Sequence, residues 1–107
     1  MTRKFPKVSL TITLRDQETE GNYVFSPGKM AMTQRFRSFF EEATESHPGY
    51  KLMAEAVAVN LLGMIKQRYG ISADYLQVFD CTYDDKAQKI YVIHDGEHVT
   101  IMLAEEY

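Results

Sequence analysis

The sequence predicts an α+β domain in which an antiparallel sheet packs on two helices. Strict alternation of apolar and polar residues opens the chain at 8–15, two segments with helical spacing fill the middle, and alternation returns on both sides of Asp95-Gly96. Period-two patterns indicate strands, whereas spacings of three and four indicate helices. An N-terminal strand or hairpin and three C-terminal strands therefore form the sheet, in the order β(β)ααβββ.

The N-terminal strand is predicted over residues 7–15, where four apolar side chains alternate with polar ones: Val8, Leu10, Ile12 and Leu14. The polar run at 15–22 predicts a loop, and Tyr23-Val24-Phe25 predicts a short return strand. The sheet therefore begins either with a single strand or with a hairpin.

The first helix has two candidate starts. Ser26-Pro27 has the residue types of a helix start, but Gly28 weakens that assignment and moves the expected start towards Thr33. Pro48 disfavours helix at the residue before it, so the first helix is expected to end there.

The second helix is predicted over residues 50–69, with Gly70 as its C-terminal cap. Its apolar residues cover most of the circumference, which indicates burial on more than one side, against the sheet and against the first helix or another subunit. The most apolar stretch, 52–65, is too short to cross a bilayer. No membrane contact is therefore expected.

Three strands close the chain, at 75–83, 89–94 and 97–103, with a turn at 84–88 and a two-residue hairpin turn at Asp95-Gly96. A two-residue turn places four residues on the face opposite the core, and a three-residue turn with a bulge changes these pairings. The face is unusually apolar for a solvated surface, which predicts an interface formed by Tyr91, Ile93, Thr100 and Met102.

Composition and cysteine content bound the class of protein. The chain has 107 residues, 45% of them hydrophobic and 25% charged, which fits one globular domain spanning 1–107 and excludes global disorder. The single Cys81 cannot form an intramolecular disulfide, and no signal-peptide pattern opens the chain. Both observations predict a cytoplasmic protein.

The net charge of −3 is unevenly distributed along the chain. Residues 1–37 hold seven Lys/Arg against three Asp/Glu, whereas residues 38–107 hold five against twelve. Six of the basic residues are candidates for one patch: Arg3, Lys4, Lys7, Lys29, Arg35 and Arg37. Because the chain is acidic overall, with a pI near 5.6, nucleic-acid binding through this patch is only a secondary hypothesis.

No group of residues specifies a reaction. His94 and His98 flank two carboxylates, but in a tight hairpin the two rings point to opposite faces, and no further metal ligand is identifiable. Cys81 lacks a neighbouring base or helix N-terminus that would activate a thiol. The sequence therefore predicts no catalytic, cofactor-binding or metal-binding residues, and an enzyme is less expected than a binding protein.

The leading hypothesis is a small non-enzymatic interaction or regulatory module that associates with a protein partner, including a second copy as a homodimer. An accessory protein of bacterial or phage origin would fit such a role. The alternative is a small-molecule-binding protein or enzyme with a pocket between sheet and helices, whose polar candidates are Asp80, Tyr83, Tyr91 and His98.

Overall fold

A six-stranded sheet lies against two helices in the computed structural model, which describes residues 1–5, 9–46 and 53–107. The strands are β1 (Thr2–Phe5), β2 (Leu10–Leu14), β3 (Met30–Met32), β4 (Leu76–Tyr83), β5 (Lys86–His94) and β6 (Val99–Leu103). The helices are α1 (Gln34–Ser46) and α2 (Met53–Tyr69). The predicted α+β class is confirmed.

The sheet is mixed, so the prediction of a purely antiparallel sheet was wrong. Its strand order is β1-β2-β4-β5-β6-β3, and β3 runs parallel to β6 with Met30 opposite Val99. The three residues of β3 are too few to show alternation, and the sequence assigned them to the approach of the first helix. The observed order of elements is therefore βββααβββ.

The N-terminal hairpin consists of β1 and β2, with Arg3 opposite Ile12. The predicted return strand at 23–25 was wrong, because Tyr23 forms only a single bridge, to Ala73. β1 carries two basic residues and no apolar repeat, which is why alternation did not reveal it. Of the predicted strand at 7–15, residues 10–14 are β2, and residues 7 and 8 lie outside the described part of the chain.

The later of the two predicted starts of the first helix is the observed one. Ser26-Pro27 begins a single 3-10 turn, and α1 begins only at Gln34. The Phe36 N–H donates to Oγ1 of Thr33 at 3.3 Å, which satisfies one of the free amides at the helix start. The predicted stop at Pro48 lies outside the described residues.

Gly70 ends α2 with φ +58°, a left-handed conformation that glycine adopts without steric cost. Burial along α2 is less complete than the sequence predicted, because Val59 is 50% exposed and Gly63 is also exposed. Many of the apolar residues around α2 are small, and a small side chain exposes little apolar surface when nothing packs on it. The predicted first residues of this helix, 50–52, lie outside the described residues.

Both C-terminal turns differ in length from the prediction. A two-residue turn at 84–85 connects β4 to β5 where five residues were expected, and Asp84 has φ +50°. A four-residue loop at 95–98 connects β5 to β6 where two were expected. Lengthening a hairpin loop by two residues keeps every side chain on its predicted face, since side chains alternate with period two.

The helices cover one face of the sheet, and alternate residues of four strands are buried beneath them. These are Leu10, Ile12, Leu14, Phe79, Cys81, Tyr83, Ile90, Val92, Val99, Ile101 and Leu103. The helices contribute Phe36, Phe40, Val57, Leu61, Leu62, Met64 and Ile65 to the same cluster. The core thus lies on one side of the sheet, and the residues that alternate with it lie on the other.

Candidate functional site

The face of the sheet opposite the helices carries a contiguous set of apolar side chains, and no described helix crosses it. Together with Thr100 these residues form the open face: Leu76, Val78, Tyr91, Ile93 and Met102. Each is only partly buried. The solvated face of an antiparallel sheet normally carries polar residues, so this composition calls for an explanation.

The four residues predicted as an interface all lie on the open face. Tyr91 is opposite Met102, and Ile93 is opposite Thr100, across β5 and β6. The predicted face was correct although the predicted loop was two residues too short, because side chains alternate with period two along a strand. Their role as an interface stays a prediction.

Sequence reasoning missed the contribution of β4 to the open face. Val78 lies opposite Tyr91 and Leu76 lies opposite Ile93, so both residues extend the apolar rows of β5 by one strand. The pattern of β4 is ambiguous because Val78 points to the open face while Gln77, a polar residue, is buried at 1% exposure. No signal in the β4 sequence alone says which of its two faces is covered.

The C-terminal 3-10 turn rests beside the open face. The Tyr107 ring meets the Tyr91 ring edge to face at 5.4 Å between centroids, while Tyr107 stays 76% exposed. The turn is fixed by Glu106, whose Oε2 accepts hydrogen bonds from the Thr33 hydroxyl and the Leu103 N–H, both at 2.8 Å. An exposed aromatic ring is therefore held against the centre of an apolar surface.

An ion pair borders the open face on the β2 side. Arg15 donates from Nε and Nη2 to the two carboxylate oxygens of Asp80, at 2.6 and 2.8 Å. The hydrogen bond from Arg15 holds the pKa of Asp80 below its ordinary value, and the same bond raises the pKa of Arg15. Lys89 lies opposite Asp80 across β4 and β5. This border carries charges of both signs.

The five described members of the predicted basic patch do not come together. Arg3 and Lys4 lie on β1 at one edge of the sheet, whereas Lys29 immediately precedes β3 at the other edge. Arg3 points towards α2, where it donates to Asn60 Oδ1 at 3.0 Å and to Gln67 Oε1 at 3.1 Å. Lys7 lies outside the described residues.

The two arginines of α1 are engaged in ion pairs. Arg35 contacts Glu105 at 3.2 Å, and Arg37 contacts Glu55 of α2 at 2.6 Å. The hydrogen bond from Arg37 lowers the pKa of Glu55. Because each guanidinium faces a carboxylate, α1 offers less net positive charge than its sequence suggests.

The space between sheet and helices is filled rather than hollow in the described part of the chain. Phe36, Phe40 and Phe79 are fully buried there. The polar candidates for an internal pocket also lie apart. Tyr83 faces the helices with a buried hydroxyl that no described group hydrogen bonds, whereas Asp80 and Tyr91 lie on the opposite face and His98 lies in the β5–β6 loop.

The histidine-rich segment 94–98 forms a structural loop. The Gly96 N–H donates to Nδ1 of His94 at 2.9 Å, and Asp95 accepts from the Glu97 and His98 N–H groups at 2.9 and 2.6 Å. Such bonds are typical of aspartate in turns. Among the described residues, no three His, Cys, Asp or Glu side chains are grouped so as to hold a metal ion.

Neither described helix combines the length and the apolar character needed to cross a bilayer. No protein-family model, no curated protein and no solved structure matches this chain.

Proposed function

We propose that this chain is a protein-interaction module whose open face binds a second copy of itself. The observation that carries the proposal is the apolar content of a sheet face that neither described α-helix covers, with five large apolar side chains in adjacent rows. These side chains are partly exposed, and contiguous apolar surface that remains accessible to solvent is characteristic of association sites. In an isologous dimer each copy would cover the other's open face.

The dimensions of the apolar patch suit a weak, reversible interface. Its residues lie on three neighbouring strands, β4, β5 and β6, spaced ~4.8 Å apart, so the patch is about 10 Å wide from the first strand to the third. Such a patch is smaller than the ~800 Å² per partner of a standard interface. Two sheets packed face to face would interdigitate these side chains as in a β-sandwich.

The charges at the border favour a second copy over a partner of one sign. Arg15 and Lys89 provide positive charge beside the negative charge of Asp80, so the surface is complementary to itself. A partner with a strongly basic or acidic surface would meet like charge at one of these positions. The charges at this border therefore favour a second copy of the chain as the partner.

The proposal is tested by measuring the mass in solution with sedimentation equilibrium over a wide concentration range. The wild-type chain is expected to rise from 12.4 kDa towards twice that value. Met102→Glu places a charge on the open face, directly opposite Tyr91, and is expected to stay monomeric, because an unpaired charge is costly to bury. Circular dichroism verifies that the variant is folded.

Val59→Glu is the matched control, since Val59 is 50% exposed on α2, in the helical layer on the far side of the sheet. It introduces the same charge at another exposed apolar position and is expected to associate as the wild type does. A wild-type chain that stays at 12.4 kDa up to about 1 mM, a range that covers weak complexes, would refute the proposal. Equal dissociation by both variants would remove the open face as the interface.

A further inference from the structure

A groove of about 400 Å³ lies at the border of the open face, where the chain leaving β2 passes the start of β4. Its floor is formed by Leu76, Val78 and Tyr91, and its walls by residues 15–19 together with Asp74-Tyr75. The volume lies in the lower part of the range of small-ligand sites, ~300–1,000 Å³. The groove is complete within one chain, but its floor is part of the open face, so the proposed dimer would cover it and a ligand would bind the monomer.

The wall of the groove is fixed in place by Gln17. Its N–H donates to the Tyr69 hydroxyl at 2.9 Å and its Nε2 donates to the Ser72 carbonyl at 3.0 Å. Its Oε1 accepts from the Asp74 N–H at 2.8 Å and from Nε2 of the buried Gln77 at 2.9 Å. A wall anchored by four hydrogen bonds needs little ordering when a ligand binds.

The charged side chains around the groove give it a net negative charge. One cation and three carboxylates line it: Arg15, Asp16, Glu18 and Asp74. Two of these groups are neutralised by partners, Arg15 by Asp80 and Asp16 by Arg68. Glu18 and Asp74 have no cationic partner among the residues that the structure describes, so their negative charge is not neutralised, although the Asp74 carboxylate accepts hydrogen bonds from the Thr19 hydroxyl and the Tyr75 N–H. The groove therefore disfavours anions and attracts cations.

Two tyrosine rings add a second preference for cations. Tyr91 lies in the floor, and Tyr75, 45% exposed, lies in the wall. The Tyr75 ring is held by an edge contact with Tyr23 at 6.4 Å between centroids. The face of an aromatic ring attracts ammonium and guanidinium groups, and partial desolvation in a groove strengthens this attraction.

We propose that this groove binds an organic cation, an alkylammonium or guanidinium group whose apolar stem lies on Leu76 and Val78. The cationic head contacts Tyr91 and Tyr75, with the carboxylates of Glu18 and Asp74 as counter-charges. The same carboxylates repel a phosphate-bearing ligand such as a nucleotide, so the groove excludes it. The cation is either a free amine or the side chain of an arginine or lysine in a protein segment.

The experiment is an amide NMR titration of the full chain at a concentration where it is monomeric by sedimentation. The probes are N-acetyl-arginine amide and N-acetyl-citrulline amide, which share a shape but differ in charge. Saturable shifts are expected at residues 15–19 and 74–78, with citrulline binding at least about tenfold more weakly, within the range of a desolvated cation–π contact. Equal binding of both probes, or no shift at about 20 mM, overturns the proposal.

Glu18 is an exposed residue of the groove wall. Glu18→Gln is expected to lower the affinity for N-acetyl-arginine amide several-fold, because it removes one counter-charge. The control Glu97→Gln makes the same change at an exposed position of the β5–β6 loop and is expected to leave the affinity unchanged. An equal effect of the two substitutions would show that net charge, and not this groove, attracts the probe.

Two further ligands identify the source of the cation. Tighter binding of agmatine than of the peptide Gly-Arg-Gly assigns the groove to a free amine, and the reverse order assigns it to a side chain of a protein segment. Adenosine monophosphate carries a ring that can stack on tyrosine together with a negative phosphate. If it binds more tightly than either cation, the proposed charge preference is wrong. Because all titrations use monomeric protein, failure here leaves the proposed dimer untouched.

Discussion

Gly21 packs against the chain segment that follows α2 more closely than any side chain would permit. Its N–H donates to the Ser72 carbonyl at 3.0 Å, and a Cβ at this position would lie 2.5 Å from the Ala73 carbonyl oxygen and 2.6 Å from Asp74 Cα. Both are backbone atoms, so a larger residue requires the loop to move. We expect Gly21→Ala to lower the free energy of unfolding by about 1–3 kcal/mol in urea denaturation.

Gly63→Ala is the matched control for this substitution. Gly63 lies inside α2, and a Cβ there meets nothing within 4 Å. Alanine loses less conformational entropy than glycine when a helix forms, so this variant is expected to gain about 0.5–1 kcal/mol. If both variants are equally stable, the contact of Gly21 with the backbone of residues 73–74 is looser than the structure indicates.

The thiol of Cys81 is expected to be unreactive in the folded protein. The residue is 1% exposed on the core face of β4, and burial raises its pKa to about 12. Reactions of cysteine proceed through the thiolate, which this environment suppresses. Labelling with a thiol reagent at pH 8 should therefore require opening of the fold, and it should be slow in the native chain and fast in urea. Rapid labelling of the native chain would contradict this.

At the level of elements, the β5–β6 loop depends on Asp95. Its carboxylate accepts hydrogen bonds from the backbone N–H groups of His98 and Glu97, and these bonds lower its pKa. A carboxyl whose pKa is lower in the folded state stabilises the fold above its ordinary pKa, and this contribution is lost as the pH falls. We expect Asp95→Ala to be less stable than the wild type at pH 7, with a smaller difference at pH 3.

Asp95→Asn distinguishes the charge from the hydrogen bonds. Its amide oxygen can accept the same two N–H groups without a charge, so its loss of stability should be smaller than that of Asp95→Ala. Urea unfolding at pH 7 and pH 3 measures the free energy of unfolding of the wild type, Asp95→Ala and Asp95→Asn. A difference between wild type and Asp95→Ala that grows on acidification would contradict the proposed role of the carboxylate.

Elements with long periodic patterns could be predicted from the sequence, and those at the edges of the sheet could not. The alternation in β5 and β6 assigned Tyr91 and Met102 to the correct face even though the connecting loop was too short by two residues. β1 and β3 lack a repeat because edge strands are short and half solvated, so their residues need not alternate. β3 is specified by its place beside β6, which no local pattern reveals.

The candidate site was predictable only where it lies within one hairpin. Leu76 and Val78 join the open face because β4 pairs with β5, and the Arg15–Asp80 ion pair joins two residues that are far apart in sequence. The groove likewise depends on the path of residues 15–19 past β4. Contacts of this kind follow from the strand order of the whole sheet, so a pattern read along the chain cannot supply them.

At the level of the whole molecule, the exposed area predicts how two copies would associate under the proposed function. The chain exposes 6303 Å², close to the ~6,100 Å² expected for a folded monomer of 12.4 kDa. A single copy therefore already buries as much surface as a folded monomer of this mass usually does, so we expect its fold not to depend on a partner. Association through the open face is expected to be reversible, with a folded monomer at low concentration.

The monomeric Met102→Glu variant provides the test. We expect it to unfold cooperatively in urea, with a midpoint that does not change over a hundredfold range of protein concentration. Its m-value should match that of the diluted wild type, because m follows the surface exposed on unfolding and that surface is the same for both monomers. An obligate dimer behaves differently, since its stability cannot be separated from its concentration. An unfolded variant, or a wild-type chain that loses its secondary structure on dilution, would mean that the open face completes the fold rather than joining two folded copies.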